Sequence, residues 1–293
     1  MADPCGFLNI NKPAGLTSHD VVARLRRSLR LKKVGHAGTL DPLATGVLVI
    51  CVGAATRLSE YVMASRKRYQ AVARLGVTTD TYDADGQVVQ VRDASGVTRP
   101  DVEAALNAFR GDILQHPPAY SAIKQGGRKL YELARAGEVV EAAARPVTIH
   151  ALDLVDWSAP QFTLDVACSA GTYIRSLAYD LGEALGVGAH LTALTRTASG
   201  IFDGSASVDL GALLQDAQWQ RHLISPQRAL ADYPAITLTA HAITELHYGR
   251  PVPDLTADEG AAAFAYAPDG TLVAVVHGVG GLWRPHKVFL STE

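Results

Sequence analysis

Val47 to Val52 is an unbroken apolar run and predicts a buried strand. Upstream, FLNINKP predicts a short opening strand, and Thr17 and Ser18 are candidate caps for a helix that follows. In that helix Val21, Val22, Leu25 and Leu29 form an apolar stripe, with Arg26, Arg27, Arg30 and Lys33 on a stripe beside it. Strand followed by basic amphipathic helix is therefore the first unit. Downstream, ATRLSEYVMAS predicts a helix and KRYQAVARLGV a strand with alternating apolar positions. The loop TTDTYDADG leads to QVVQV, and TRPDVEAALNAF predicts a helix capped by Thr98 with Pro100 in its first turn.

The segment QHPPAYSAIKQGGRKLYELARAGE is punctuated by proline and glycine and ends in a short helix stopped at Gly137, so it predicts an excursion from the scaffold. PVTIHALDLV and FTLDVAC predict two more strands, GTYIRSLAYDLGEAL a helix, and HLTALTRTASG a returning strand. Strands outnumber helices and several are neighbours in sequence. The expected class is α+β, with a mixed, largely antiparallel sheet and flanking helices. Composition shifts near residue 225. SPQRALADYPAITLT is a candidate linker, the helix HAITELHYG stops at Gly249, and AAAFAYAP, TLVAVVH and HKVFLS predict three short strands. The expected arrangement is a large domain over 1–228 and a small β-rich module over 229–293, close to the smallest size that folds unaided.

With 48% of its 293 residues hydrophobic and 19% charged, the chain has ample material for a core. No apolar run approaches a membrane span and the amino terminus has no leader pattern, so a soluble, cytoplasmic protein is expected. Cys5, Cys51 and Cys168 lack the spacing of a disulfide framework or a zinc site. The net charge of −2 conceals an asymmetry: residues 1–68 hold eleven Lys and Arg against four acids, and the remainder sixteen against twenty-five. A phosphate backbone is the obvious partner for the basic end.

Asp41 lies in GHAGTLDPLATGVLVI, immediately before Pro42. A residue before proline is pushed toward extended geometry, so Asp41 is expected on a loop at the edge of the Val47–Val52 strand. Taken alone, Asp-Pro is an ordinary turn opener. Its company changes that: GHAGTLDPLATGVLVI, KRYQAVARLG, TDTYDADG and GTYIRSLA, in this order, resemble the TruB family of tRNA pseudouridine synthases, with the likeness running through most of residues 7–200. The resemblance implies a mixed sheet with flanking helices, an inserted RNA-gripping segment at about 116–145, and a carboxy-terminal PUA-like RNA-binding domain. It implies isomerisation of uridine 55 in the T-loop of tRNA, without metal or organic cofactor.

By the same resemblance Asp41 is the nucleophile and Arg175 the cation that pairs with it; a planar guanidinium suits a carboxylate. Tyr69 would stack on an extracted uridine or move a proton there, Tyr173 and Leu194 would line the nucleotide site, and His36 would fill the place the base leaves. Asp83 would support the pocket. RNA grip is expected from the basic stripe with Lys12 and Arg57, from Lys124, Arg128, Lys129 and Arg135 of the insertion, and from the terminal module. The expected partner is tRNA, with no protein partner implied, and the chain is expected to be a monomer. The sequence leaves open whether the carboxylate attacks the uracil ring or the sugar.

Two other readings remain at this stage. A tRNA-binding or tRNA-folding protein with incidental isomerase activity would share the basic end, and a retaining glycosidase would share the carboxylate but needs a second one. DADG lacks the spacing and closing glutamate of a calcium loop, and GVGG near residue 280 follows no βαβ signal.

Overall fold

Strand β1 (Gly6–Lys12) leads through Thr17 into helix α1 (Ser18–Ser28). The Thr17 hydroxyl accepts from the Asp20 amide while the Asp20 carboxylate accepts from the Thr17 amide, a closed capping box. The computed structural model describes residues 4–121, 123–125, 127–135, 142–254 and 257–289. At its other end α1 stops sooner than the cationic stripe requires. Arg30 takes a φ of +53°, and the Leu31 amide reaches back to the Arg26 carbonyl at 3.1 Å, which closes the helix in the manner of a left-handed C-terminal cap. Arg26 and Arg27 lie in the last turn, whereas Arg30 and Lys33 lie beyond it, so the expected four-residue helical stripe does not form. What forms instead is an exposed basic cluster around a helix end.

The chain continues through β2 (Val34–His36), β3 (Thr45–Val52), a 3₁₀ turn, α2 (Ser59–Met63), β4 (Lys67–Leu75), the hairpin β5 (Val77–Thr79) and β6 (Val88–Val91), α3 (Arg99–Ala105) and β7 (Gly111–Gln115). It leaves the sheet for β8 (Lys124–Gln125), β9 (Arg128–Lys129) and α4 (Leu130–Arg135), and returns as β10 (Arg145–Ser158). Then come β11 (Gln161–Cys168), α5 (Ile174–Ala184), β12 (Ala189–Ser199), β13 (Phe202–Asp203), β14 (Val208–Asp209), α6 (Leu210–Gln215) and α7 (Pro226–Ala229). Gly137, the expected stop of α4, lies outside the described residues.

Ten strands form one sheet in the order β14-β1-β3-β12-β4-β11-β10-β7, with β2 on β3 and β13 on β12. Only β1–β14 and β3–β12 run parallel in it among the described residues; the other pairs are antiparallel. The expected mixed α+β sheet is what the chain builds. β3 stands third in this order, and its continuous apolar run is explained by burial on both faces. Leu48, Ile50 and Val52 pack with Val21, Val22 and Leu25 of α1. Val47, Val49 and Cys51 pack in a second cluster with Phe264, Tyr266 and Val275 of the terminal module.

That module is a five-stranded sheet in the order β15 (Ala235–Thr237), β17 (Ala262–Tyr266), β18 (Leu272–Val279), β19 (Leu282–Val288) and β16 (Val252–Pro253), with α8 (Ala240–His247) beside it. The strand expected over HKVFLS begins earlier, at Leu282. Gly280 and Gly281, at φ +59° and +71°, make the two-residue turn that pairs Val279 with Leu282, a backbone that favours glycine at both positions. The seam with the large sheet is aromatic: Tyr61, Tyr233 and Phe264 meet edge to face with centroids 5.0 to 5.8 Å apart. The Tyr233 hydroxyl donates to the Tyr61 carbonyl at 2.8 Å, and Lys287 pairs with Glu60. Among the described residues no helix is long and apolar enough to cross a membrane.

Candidate active site

Asp41 sits on the loop from Gly38 to Gly46, just ahead of the buried part of β3. Both end glycines have positive φ, +103° and +92°. A side chain on Gly46 would meet the Arg196 carbonyl oxygen at 2.3 Å, so glycine is required there. The loop is tied down on every side. Ser18 Oγ accepts from the Leu40 amide at 2.8 Å, the Gly15 amide donates to the Pro42 carbonyl at 2.8 Å, and the Ala44 amide donates to the Asp41 carbonyl at 3.1 Å. A proline loop that could have been a mobile turn is thereby held rigidly.

Lys12 helps from beneath. Its side chain is fully buried, and Nζ donates to the carbonyls of Leu16 at 2.6 Å, Pro13 at 3.0 Å and Pro42 at 3.3 Å. Burial lowers its pKa to about 8, with the Asp41 charge opposing that shift. The expectation that Lys12 grips RNA is therefore corrected: an ammonium at 0% exposure cannot reach a phosphate, and this one supports the loop.

Arg175, in the first turn of α5, faces Asp41. Nε lies 2.9 Å from Asp41 Oδ2 but off the line of a good hydrogen bond, and Nη2 donates to Oδ1 at 3.3 Å. The arginine side chain is 6% exposed and that of Asp41 34%, so the carboxylate is the member of the pair open to a ligand. The rest of the guanidinium is occupied by the carbonyls of Thr81 and Tyr120, both at 3.0 Å, and by Asp83 at 3.5 Å. Asp83 is itself buried; the Thr81 hydroxyl donates to Oδ1 at 2.5 Å and the Asp85 amide at 3.1 Å. Burial raises its pKa, and Thr81 and Arg175 act against that rise. The start of α5 is fixed by Gln115, whose amide side chain accepts from the Tyr173 amide at 2.7 Å and donates to the Tyr173 carbonyl at 2.9 Å.

Tyr69 lies on the inner face of β4, buried, and stands directly opposite Arg196 in the β4–β12 register, with Leu194 opposite Ala71. Burial raises the Tyr69 phenol above its ordinary value, while the positive charge of Arg196 opposes that. Tyr173 is half-buried and its phenol is likewise raised by burial. His36 is half-buried on β2; burial first, and then the Arg196 charge, lower its pKa, and Nδ1 has no hydrogen-bond partner among the described residues. The electrostatic influence of Asp41 reaches Lys12, Tyr69, Asp83 and Tyr173, which ties these groups to one site.

The remaining predicted residues lie elsewhere. Arg57 Nη1 donates to the Val288 carbonyl at 2.6 Å and its guanidinium sits 4.7 Å from the centre of the Phe289 ring, which places it at the seam with the terminal module. Arg26, Arg27, Arg30 and Lys33 are exposed around the end of α1, and Arg128 is exposed on β9. The side chains of Lys124, Lys129 and Arg135 lie outside what the structure describes. Gln115 and Arg196 are functional-site residues that the sequence reading did not single out.

Residues 26–174 match the family model described as TruB family pseudouridylate synthase (N terminal domain), and residues 175–232 match tRNA pseudouridylate synthase B C-terminal domain. The tRNA pseudouridine synthase B of Symbiobacterium thermophilum is 50% identical over 247 residues, covering 83% of this chain and 82% of that protein. That of Thiobacillus denitrificans is 44% identical over 290 residues, covering 98% and 97%. Among solved structures, a chain of a Cbf5-Nop10-Gar1 complex superposes with a TM-score of 0.76 at 26% identity, covering 97% of this chain and 85% of that one.

Proposed function

The chain belongs to the TruB family of pseudouridylate synthases and isomerises uridine to pseudouridine in tRNA; we propose that Asp41 is its nucleophile and uridine 55 of the T-loop its target. The observation that carries the assignment is the unequal pair in the site, a buried arginine laid against a carboxylate that remains a third exposed. The reaction breaks the bond from N1 of uracil to C1′ of the ribose, turns the base, joins C5 to C1′, and moves one proton from C5 to N1. Nothing is gained or lost. A group that bonds and then departs is needed, and a carboxylate does both. Attack on the sugar and addition to the ring both require that carboxylate aimed, and the fork of Arg175 aims it.

A base inside a folded loop has to be drawn out before it can turn. Tyr69 would offer the extracted uracil a flat face, with Leu194 and Tyr173 as walls and His36 in the space the base vacates. Asp83 would hold Arg175 from behind, so that the guanidinium cannot swing away from Asp41. The exposed cations Arg26, Arg27, Arg30 and Lys33 would hold phosphates, joined by Arg128 of the excursion near 116–145. In this reading residues 1–228 are the catalytic domain, residues 229–293 a PUA-like RNA-binding domain, and the protein works as a cytoplasmic monomer.

The test is tritium release from tRNA labelled at uracil C5, with native protein and Asp41→Asn. Loss of release with tRNA affinity retained is expected; release by the folded variant overturns the nucleophile assignment. Nucleotide-by-nucleotide mapping of pseudouridine in the product tRNA decides whether uridine 55 is the site.

A further inference from the structure

Arg196 is among the largest fully buried side chains of the protein, at 1% exposure, and no carboxylate pairs with it among the described residues. Its guanidinium donates instead to main chain: Nε to the Val47 carbonyl at 2.6 Å, Nη2 to Gly38 at 3.0 Å and Nη1 to Thr39 at 3.4 Å. These acceptors bracket Asp41, two before it and one after it. Both end glycines of the loop also abut Arg196, since an added Cβ would lie 3.5 Å from Nη1 at Gly38 and 2.3 Å from the main-chain oxygen at Gly46. Across the sheet it is the register partner of Tyr69, whose phenol lies within reach of its positive charge.

A buried charge without a counter-ion is a poor way to stabilise a fold, because an apolar side chain of similar volume would serve as well. The arrangement calls for another reason. We propose that Arg196 is a positioning residue for the isomerisation: it clamps both ends of the Asp41 loop and sets that loop against Tyr69, its partner across the sheet. A guanidinium carries five donors and no acceptor, which suits the three main-chain carbonyls of Gly38, Thr39 and Val47. One side chain thus sets the nucleophile and the neighbouring phenol relative to each other. The proposal rests on the reading of Asp41 as nucleophile.

The test uses the full chain with Arg196→Lys and Arg196→Gln, each assayed for melting temperature, tRNA dissociation constant and single-turnover tritium release. A lysine ammonium keeps the charge but cannot span Gly38, Thr39 and Val47 together. The single-turnover rate should fall by about 10²-fold, as expected when reacting groups are displaced by about an ångström, with tRNA affinity within about twofold of native. Tyr69→Phe should cost less in the Arg196→Lys background than in the native one, because a phenol whose neighbouring Asp41 loop is already displaced has less to contribute. The proposal is overturned by near-native rates in a folded variant, by rate losses that merely follow weakened tRNA binding, by an equal cost of Tyr69→Phe in both backgrounds, or by failure of both variants to fold, which would assign Arg196 to stability. Asp41→Asn is run alongside. Release by that variant sinks the nucleophile reading, whereas a silent Asp41→Asn with fully active Arg196 variants sinks only the role of Arg196.

Discussion

The guanidinium of Arg175 covers both oxygens of the Asp41 carboxylate, with Nε 2.9 Å from Oδ2 and Nη2 3.3 Å from Oδ1. Three further acceptors, from Thr81, Tyr120 and Asp83, hold it there. Lysine at this position would keep the charge and lose the fork. Arg175→Lys should lower the single-turnover rate by about 10²-fold while tRNA affinity stays near native. Rapid-quench tritium release with a parallel filter-binding titration makes the comparison, and a loss confined to affinity would contradict the geometry.

Tyr69 presents a ring and a hydroxyl, and substitution can separate them. Tyr69→Phe keeps the ring and should leave tRNA binding intact, whereas Tyr69→Leu should weaken the hold on the extracted base by about 1–3 kcal/mol, the usual worth of a base stacked on an aromatic ring. Binding measured with a T-loop stem carrying the target uridine, and with one in which the target nucleotide is abasic, isolates that term. Equal affinity of both variants for the uridine stem would exclude stacking by Tyr69.

Lys12 gives a pH signature. Its ammonium is lowered from 10.5 to about 8, mainly by burial. The folded protein therefore releases this proton earlier than the unfolded chain, and between those values the unfolded state binds more protons, so this group makes stability rise with pH across the window. Lys12→Met removes the effect. The melting temperature of the native protein relative to the variant should climb between about pH 8 and pH 10; a flat or falling difference would show that the ammonium is not buried as described.

Lys12 also shows where sequence reading runs out. The strands, the Asp41 loop and the Arg175 motif are legible because apolar periodicity and motif spacing are local. Burial of a cation depends on what packs against it. Yet a signal was present: Lys12 follows Leu8 and Ile10 in the inward phase of β1, Lys67 shares the inward phase of β4 with Tyr69 and Ala71, and Arg196 stands two residues after Leu194 on β12. A charge in phase with an apolar face marks a group held by main-chain carbonyls, which is what all three do. The basic stripe failed for the opposite reason. Helical periodicity runs on past Ser28 in the sequence, but the left-handed Arg30 ends the helix.

The exposed cations around the end of α1 should act on phosphates. Replacing Arg27 by Gln should weaken tRNA binding evenly across T-loop sequences and reduce the slope of log affinity against log salt by about one. An unchanged slope would remove Arg27 from the RNA interface.

Phe264 joins the terminal sheet to the second face of β3. Phe264→Ala should destabilise the protein by about 3–5 kcal/mol, and the large and terminal sheets should still unfold in one transition because they share that cluster. Denaturant melts followed by Trp219 and Trp283 fluorescence, one tryptophan at a time, would reveal two separate transitions if the sheets were independent.

β3 carries the Asp41 loop at one end and rests on the terminal sheet along one face, so that strand and sheet share one layer of side chains. An RNA held on the terminal sheet, as proposed above, would meet Asp41 at a span set by this packing, and the chain would behave as a caliper with locked jaws. Such a tool would measure the rise of the stem between grip and loop, so that a stem one base pair longer or shorter would present the wrong nucleotide to the carboxylate.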